Sequence, residues 1–211
     1  METNIVILGK GDAVIGMILD NLYSNGICGD VIIYNNLSLP ILKDINHPDF
    51  NLVIREEMDI KEFNNYVLGV YDPKHKIKII DTLKPEMSKF QTITFSDLII
   101  SKTSKIGLGC MIDSNVSIAA HTTIGNFVSV NRHVSIGHHT VIGDFVSINP
   151  GCNIAGNVTI GGGTTIGMGT NVLNTVQIGE NSIIGAGSNV TRDIPSNVIA
   201  YGNPCKIIKN L

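Results

Sequence analysis

The chain of 211 residues has no tryptophan, only 5% aromatic residues and only 16% charged ones, and its formal charge is −3 with a pI near 6.0. Each shortage excludes something. With few rings the core must be aliphatic, and a weakly acidic balance leaves no basic stripe of the kind that holds nucleic acid or acidic lipid. Four cysteines, at 28, 110, 152 and 205, form no close pair and no C-x-x-C, so they read as reduced thiols. The first apolar run, Ile5 to Leu8, is too short for a signal peptide and far too short to span a bilayer. The expected compartment is the cytosol, with no membrane and no nucleic acid as partner.

What the chain has in abundance is a period of six. From Ile106 to Pro195 the opening position of every hexad is β-branched: Ile106, Ile112, Ile118, Ile124, Val130, Ile136, Ile142, Ile148, Ile154, Ile160, Ile166, Val172, Ile178, Ile184 and Val190. A second column, four residues into each hexad, is small or β-branched, from Cys110 and Val116 through Cys152 and Thr164 to Ile194. Glycine follows the β-branched residue in eight of the fifteen hexads. Helices repeat at 3.6 residues and hairpins at two, so a strict six excludes both. A parallel β-helix fits it, with three hexads closing a coil of 18 residues and about five coils in all. Like residues then stack about 4.8 Å apart along the axis.

The residues ahead of the repeat follow another grammar, which predicts an α/β domain over 1–95 and the β-helix over 96–211. Apolar runs at Ile5 to Leu8, Val31 to Tyr34 and Tyr66 to Val70 read as strands, and Val14, Ile15, Ile18, Leu19 and Leu22 fall at helical spacing between the first two. Pro40, Pro48 and Asn51 mark turns, with a short strand over Asn51 to Ile54 and a short helix over Asp59 to Asn65. Lys76 to Ile80 and Thr92 to Phe95 read as short strands joined by a connector over Lys84 to Lys89. A ragged lead-in coil is expected around Leu98 to Lys105. After Val190 the hexads end, and Val198 to Ile208, with Gly202-Asn203-Pro204, is expected to cap the open sheet edge.

Three places carry candidate chemistry. Gly9-Lys10-Gly11-Asp12 joins the first strand to the first helix, where backbone N–H groups can approach phosphate. The third glycine of a dinucleotide fingerprint is absent, since position 14 is Val, which argues against NAD. Asn35 and Asn36, ending the second strand, can donate to and accept from a base or sugar. Four histidines, His121, His133, His138 and His139, lie outside both inward columns and must project outwards, with His121 and His139 stacked 18 residues apart. An outward group gains a pocket if another subunit packs beside it, which favours a trimer. A zinc site is the competing use of these imidazoles. The β-helical carbonic anhydrases use two histidines five residues apart, as His133 and His138 are, but two coils before His133 stands Asp97.

The chain as a whole resembles the bacterial sugar acyltransferases, a family of left-handed β-helix hexapeptide-repeat enzymes that includes the sialic acid O-acetyltransferases and the UDP-4-amino-sugar N-acetyltransferases. The resemblance rests on the Gly9-Lys10-Gly11 turn, the segment Val67-Leu68-Gly69-Val70-Tyr71-Asp72-Pro73, the hexads and Gly202-Asn203-Pro204. Its most specific stretch is Ile136-Gly137-His138-His139-Thr140-Val141-Ile142-Gly143-Asp144-Phe145-Val146. Three places differ from the family pattern: Asp12 and Ala13 stand where the first turn usually reads Gly-His, His139 replaces an acidic residue, and Ser147 replaces a histidine.

The resemblance implies that His138 is the catalytic base, with His139 beside it, and that acetyl-CoA is the co-substrate, with no metal. It implies a Rossmann-like N-terminal domain holding a nucleotide-linked amino sugar, a UDP- or dTDP-4-amino sugar, through Gly9, Lys10, Gly11, Asn35, Asn36 and Tyr71. It also implies a homotrimer with coenzyme A in the groove between subunits, touching Gly156, Met168 and Ala186, with Gly202, Asn203, Pro204 and Lys206 near the adenine. The expected reaction is N-acetylation by direct attack, since no Ser or Cys is placed for covalent catalysis. An imidazole, with an ordinary pKa of about 6.5, is mostly neutral at pH 7 and can take the proton. His139 and Asn157 are the candidates for orienting it. O-acetylation of a sugar hydroxyl would use the same base, and a non-catalytic nucleotide-sugar-binding scaffold is a third reading.

Overall fold

A β-branched residue every six positions puts one side chain per strand into a core, and from Lys105–Ile106 to Asn189–Val190 each hexad makes a two-residue strand. Each strand pairs in parallel with the one 18 residues on, so that Ile106, Ile124, Ile142, Ile160 and Ile178 form one ladder. A second ladder runs through Ile112, Val130, Ile148, Ile166 and Ile184, and a third through Ile118, Ile136, Ile154, Val172 and Val190. Three ladders wound by one chain make a left-handed parallel β-helix. The computed structural model describes residues 5–9, 11–35, 47–95 and 97–211, which divide into the units Met1–Ser96 and Asp97–Leu211.

Both sequence columns face the core of the β-helix. The β-branched column is buried from Ile112 to Val190, and the small column from Cys110 to Ser188. Its threonines and cysteines are satisfied in one repeated way, while Ser182 donates to Pro195 O and Ser188 to Gly185 O. Thr122, Thr140, Thr164 and Thr170 each donate Oγ1 to the carbonyl 15 residues on, and Cys110 and Cys152 do the same with Sγ. A buried hydroxyl at this position thus finds its acceptor in a corner carbonyl of the next coil. The glycines after the β-branched residue mark where coils approach most closely. A Cβ on Gly137 would stand 2.5 Å from Ala155 C and from Gly156 N.

At its start the ladder takes in Ile99–Ile100, which pairs with Ser117–Ile118 as the expected lead-in coil. At its end, Val198–Tyr201 pairs in parallel with Ile183–Ile184 and in antiparallel with Lys206–Asn210, which caps the edge. The period breaks once. Ile194, expected in the small inward column, instead bridges Ile178 16 residues earlier, on the β-branched ladder. The turn before it is two residues short, and Asp193 Oδ1 accepts the Gln177 N–H there at 2.8 Å.

The N-terminal unit is a small parallel sheet with helices. Its elements are β1 (Ile5–Leu8), α1 (Asp12–Ser24), β2 (Gly29–Tyr34), β3 (Phe50–Arg55), β4 (Asn65–Leu68) and α2 (Pro73–Leu83), and the sheet order is β3-β2-β1-β4. All pairs are parallel, and central β1 is wholly buried, as a strand covered on both faces should be. The apolar stripe of α1, from Val14 to Leu22, is buried. The short strand at 51–54 lies within β3, the short helix at 59–65 is a single 3-10 turn over Ile60–Glu62, and the strand at 92–95 is Ile93–Thr94. Pro40 lies outside the described residues.

One reading is corrected. Lys76 to Ile80, taken as a strand from its alternating Lys-Ile-Lys-Ile, lies inside α2. Asp72 caps the helix by accepting the His75 N–H, Pro73 opens it, and the buried residues Pro73, Lys76 and Ile79 fall at a spacing of three. Cap and proline at the N-terminus outweigh a short alternation.

Candidate functional site

Each hexad turns a corner between its β-branched residue and its small one, and the third and fourth positions of that corner face outwards. On the corner after the Ile118 ladder the third position reads Ala120, His138, Gly156 and Asn174, and the fourth reads His121, His139, Asn157 and Thr175. The fourth position requires a left-handed backbone: φ is +60° at His121, +56° at His139, +58° at Asn157 and +66° at Thr175. His133, on another corner, has φ +58°. Asn and His tolerate that region better than branched residues do, so these three histidines have a turn to make. His138 does not, which separates it from the others on backbone grounds alone.

All four imidazoles are exposed, as their outward positions predict. His138 and His139 face each other through their Nδ1 atoms at 3.1 Å, ring edge to ring face, and the His121 ring lies 4.9 Å from that of His139. His138 lies over Gly156. A Cβ on that glycine would come within 2.7 Å of Cε1 and Nε2 of the imidazole. The N–H groups of Ala155 and Asn157 donate to Val172 O and His138 O, whereas that of Gly156 donates to no backbone carbonyl among the described residues. The ring of His138 thus lies over a residue whose N–H has no backbone acceptor. Gly156 was read as a coenzyme A contact; its place under the base was missed, although the 18-residue spacing from His138 signals it.

The other expected residues of the β-helix stand elsewhere on the chain. Met168 and Ala186 share the third position of the corner after the Ile112 ladder, where Gly187 N–H donates to Met168 O at 2.7 Å. Gly202, Asn203 and Pro204 form the turn of the cap, and Lys206 opens the strand that follows it. Asn189 N–H donates to Gly202 O at 3.0 Å and Gly202 N–H to Ser188 Oγ at 3.2 Å. One chain therefore brings together His138, His139 and Gly156 on one corner, and holds Met168 and Ala186 on another. Burial pushes the thiol of Cys205, beside the cap turn, above its ordinary range.

In the N-terminal unit Gly9 N–H donates to Tyr34 O, Gly11 N–H to Gly69 O, Gly69 N–H to Leu8 O and Asn35 N–H to Arg55 O. These residues gather where β1, β2 and β4 end and α1 begins. A Cβ on Gly69 would stand 2.6 Å from Gly9 O, so only glycine permits this approach. Gly69 was not singled out from the sequence; its signal is a glycine directly after a strand. Gly11 caps α1 without a side-chain bond, which leaves first-turn N–H groups open. Tyr71 is half-buried with Oη 3.4 Å from Met17 Sδ. Lys10 and Asn36 lie outside the described residues. Among the described residues no three His, Cys, Asp or Glu side chains gather as metal ligands, and no helix is long and apolar enough to cross a membrane.

Residues 157–192 match the bacterial transferase hexapeptide, a model of six repeats. The chain carries the hexapeptide repeat of bacterial transferases. No curated protein matches its sequence. Among solved structures, this hexapeptide-repeat chain is similar to a histidine mutant of perosamine N-acetyltransferase from Caulobacter crescentus in complex with CoA and GDP-perosamine, at TM-score 0.84 and 22% identity, covering 100% of this chain and 99% of that one. It is similar to the acetyltransferase domain of PglB from Neisseria gonorrhoeae at TM-score 0.83 and 20% identity, covering 98% and 100%. WeeI from Acinetobacter baumannii gives 0.78 and 21%, covering 97% and 99%. At these identities what is shared is the fold, over nearly the whole of each chain.

Proposed function

We propose that the chain transfers the acetyl group of acetyl-CoA to the amino group of a nucleotide-linked amino sugar, with His138 as general base. The observation that carries this reading is the seating of His138 over Gly156 with its Nδ1 against that of His139. Two facing Nδ1 atoms can hold one hydrogen between them. When His138 donates it, His139 accepts, and Nε2 of His138 carries the free lone pair. The amine nitrogen attacks the thioester carbonyl, its proton passes to Nε2, and the open N–H of Gly156 receives the charge on the carbonyl oxygen. Collapse breaks the C–S bond, and the proton moves from His138 to the departing sulfur. The products are an acetamido sugar and the free thiol of CoA.

The remaining site follows from the same reading. The N-terminal unit is Rossmann-like, and its strand ends at Gly9, Gly11, Asn35 and Tyr71, with Lys10 and Asn36, hold the nucleotide sugar. The five stacked coils form a homotrimer in which Gly156 on one copy and Met168, Ala186, Gly202, Asn203, Pro204 and Lys206 on its neighbour line coenzyme A. Exposed apolar residues support a neighbour there: Val141 is 47% and Leu173 50% exposed, close in sequence to His139 and Asn174, and Met168 is 59% exposed on the other corner. The bound ligands of the perosamine enzyme support both the acyl donor and the class of acceptor.

The test is His138→Ala, assayed with acetyl-CoA and a panel of UDP-, dTDP- and GDP-linked 4-amino sugars beside sialic acid. Turnover is expected to fall at least about a hundredfold while oligomeric state and ligand binding persist. Unchanged turnover removes His138 as the base. His139→Ala is expected to lose less, since that residue only orients its neighbour, and an equal or larger loss means the two roles are exchanged.

A further inference from the structure

His121 carries more side chain than its turn requires. Its φ of +60° belongs to the fourth corner position, and the chain meets the same backbone demand with Asn115, Asn157 and Asn181. The transfer chemistry gives its imidazole no role. Regular register fixes its place: Ser117–Ile118 pairs with Ser135–Ile136, and His139 N–H donates to Ala120 O at 3.0 Å. One coil earlier, Thr103 Oγ1 accepts the His121 N–H at 2.9 Å. The ring centroids of His121 and His139 lie 4.9 Å apart with their planes inclined at 40°. Neighbouring strands are spaced at about 4.8 Å, so the two rings continue the ladder spacing outwards, beyond the backbone.

That contact bears on the base because His139 is exposed and its ring turns about two side-chain bonds. In the observed orientation its Nδ1 faces Nδ1 of His138 at 3.1 Å. A half-turn about Cβ–Cγ would exchange Nδ1 for Cδ2, and the hydrogen on His138 Nδ1 would lose its acceptor. Asn157, the other candidate for orienting the pair, makes no side-chain hydrogen bond among the described residues. We propose that His121 is a positioning residue for the base: its ring packs against His139 and holds that imidazole with Nδ1 towards His138. This rests on the general-base reading of His138 above. The contact is one of ring on ring, since among the described residues no hydrogen bond joins His121 to His139. A ring pair of this kind weights one orientation over another by about 2- to 12-fold.

The experiment removes the ring and keeps the turn. His121→Asn is expected to lower kcat about 2- to 12-fold, with Tm and the KM for acetyl-CoA unchanged. His121→Phe should recover most of the loss, since Phe127 and Phe145 adopt φ of +57° and +62° in this chain and stack at 5.1 Å. His133→Asn makes the same exchange at a turn of φ +58° and should match wild type. In a His139→Ala background, His121→Asn is expected to cost nothing further, because it acts through that ring. Nitrogen NMR shifts of the imidazoles give a readout that needs no turnover: His139 is expected as the Nε2–H tautomer in wild type and as a mixture in His121→Asn. Wild-type kcat in His121→Asn, no recovery in His121→Phe, or an equal loss in the absence of the His139 ring would each overturn the assignment. If the wild-type protein transfers no acetyl group, the general-base reading fails and takes this inference with it. Transfer by wild type that is undiminished in His121→Asn defeats the inference alone.

Discussion

Gly156→Ala tests the seating of the base directly. The added methyl would stand 2.7 Å from Cε1 and Nε2 of His138 and 3.1 Å from Cδ2. Non-bonded carbon and nitrogen settle at about 3.5 Å, so the ring must move by roughly 0.8 Å. Because the imidazole is exposed it can swing towards solvent, and the penalty falls on position rather than on folding. A reacting group displaced by about 1 Å can lose 10²-fold in rate. Turnover under saturating acetyl-CoA is therefore expected to drop about a hundredfold, with Tm within ~2 °C of wild type. Gly137→Ala is the control. Its methyl meets backbone rather than a mobile ring, at 2.5 Å from Ala155 C and Gly156 N. Prising two coils apart costs about 1–3 kcal/mol, or roughly 2–12 °C in Tm for a chain of this length. Wild-type turnover in Gly156→Ala would falsify the placement of His138 over residue 156. A fall in Tm as large as that of Gly137→Ala would mean that Gly156 serves the coil and not the base.

Two predictions concern the core. Thr164, fully buried, donates Oγ1 to Gly179 O at 2.7 Å and accepts the Ser182 N–H at 3.1 Å. Thr164→Val keeps the shape and removes both bonds, so a loss of about 1–2 kcal/mol, or roughly 2–8 °C in Tm, is expected by calorimetry; an unchanged Tm would show that the hydroxyl column is incidental. Burial holds the Cys152 thiol above its ordinary 9.0. A raised folded value favours the protonated form, so its contribution is present below about pH 9 and is lost as pH rises through the folded value. Cys152→Thr, which keeps a donor in the column, should lose stability less steeply above pH 9 than wild type. Parallel curves would remove this thiol as the cause.

The β-helix is legible in the sequence because one physical requirement recurs at every hexad: a branched side chain in, then a small one. The same regularity made the outward placement of His138 legible before any coordinates. What was hidden follows from terms a period cannot carry. Ile194 continues the six-residue count yet joins another ladder, because a turn two residues short is a local matter of Asp193 and Gln177. In α2 the alternation of Lys and Ile misled because it is short, while Asp72 and Pro73, which decide the helix, lie outside it. The seating of His138 on Gly156 joins residues 18 apart in sequence, legible only when the column is read downwards as a surface rather than along the chain.

The corner explains why chemistry can be added to this fold at one position and not at its neighbour. The β-branched and small positions are committed to the core, and the residue after the β-branched one meets the next coil, where a Cβ on Gly137 has no room. At the fourth position the backbone must be left-handed, which restricts it to residues such as Asn157, His121 and His139. The third position is outward and free of that backbone demand. Its residues line up coil over coil, so base, gap and amide follow one another at fixed spacing from His138 through Gly156 to Asn174. A group at this position therefore comes with a ruler, since each further coil adds about 4.8 Å.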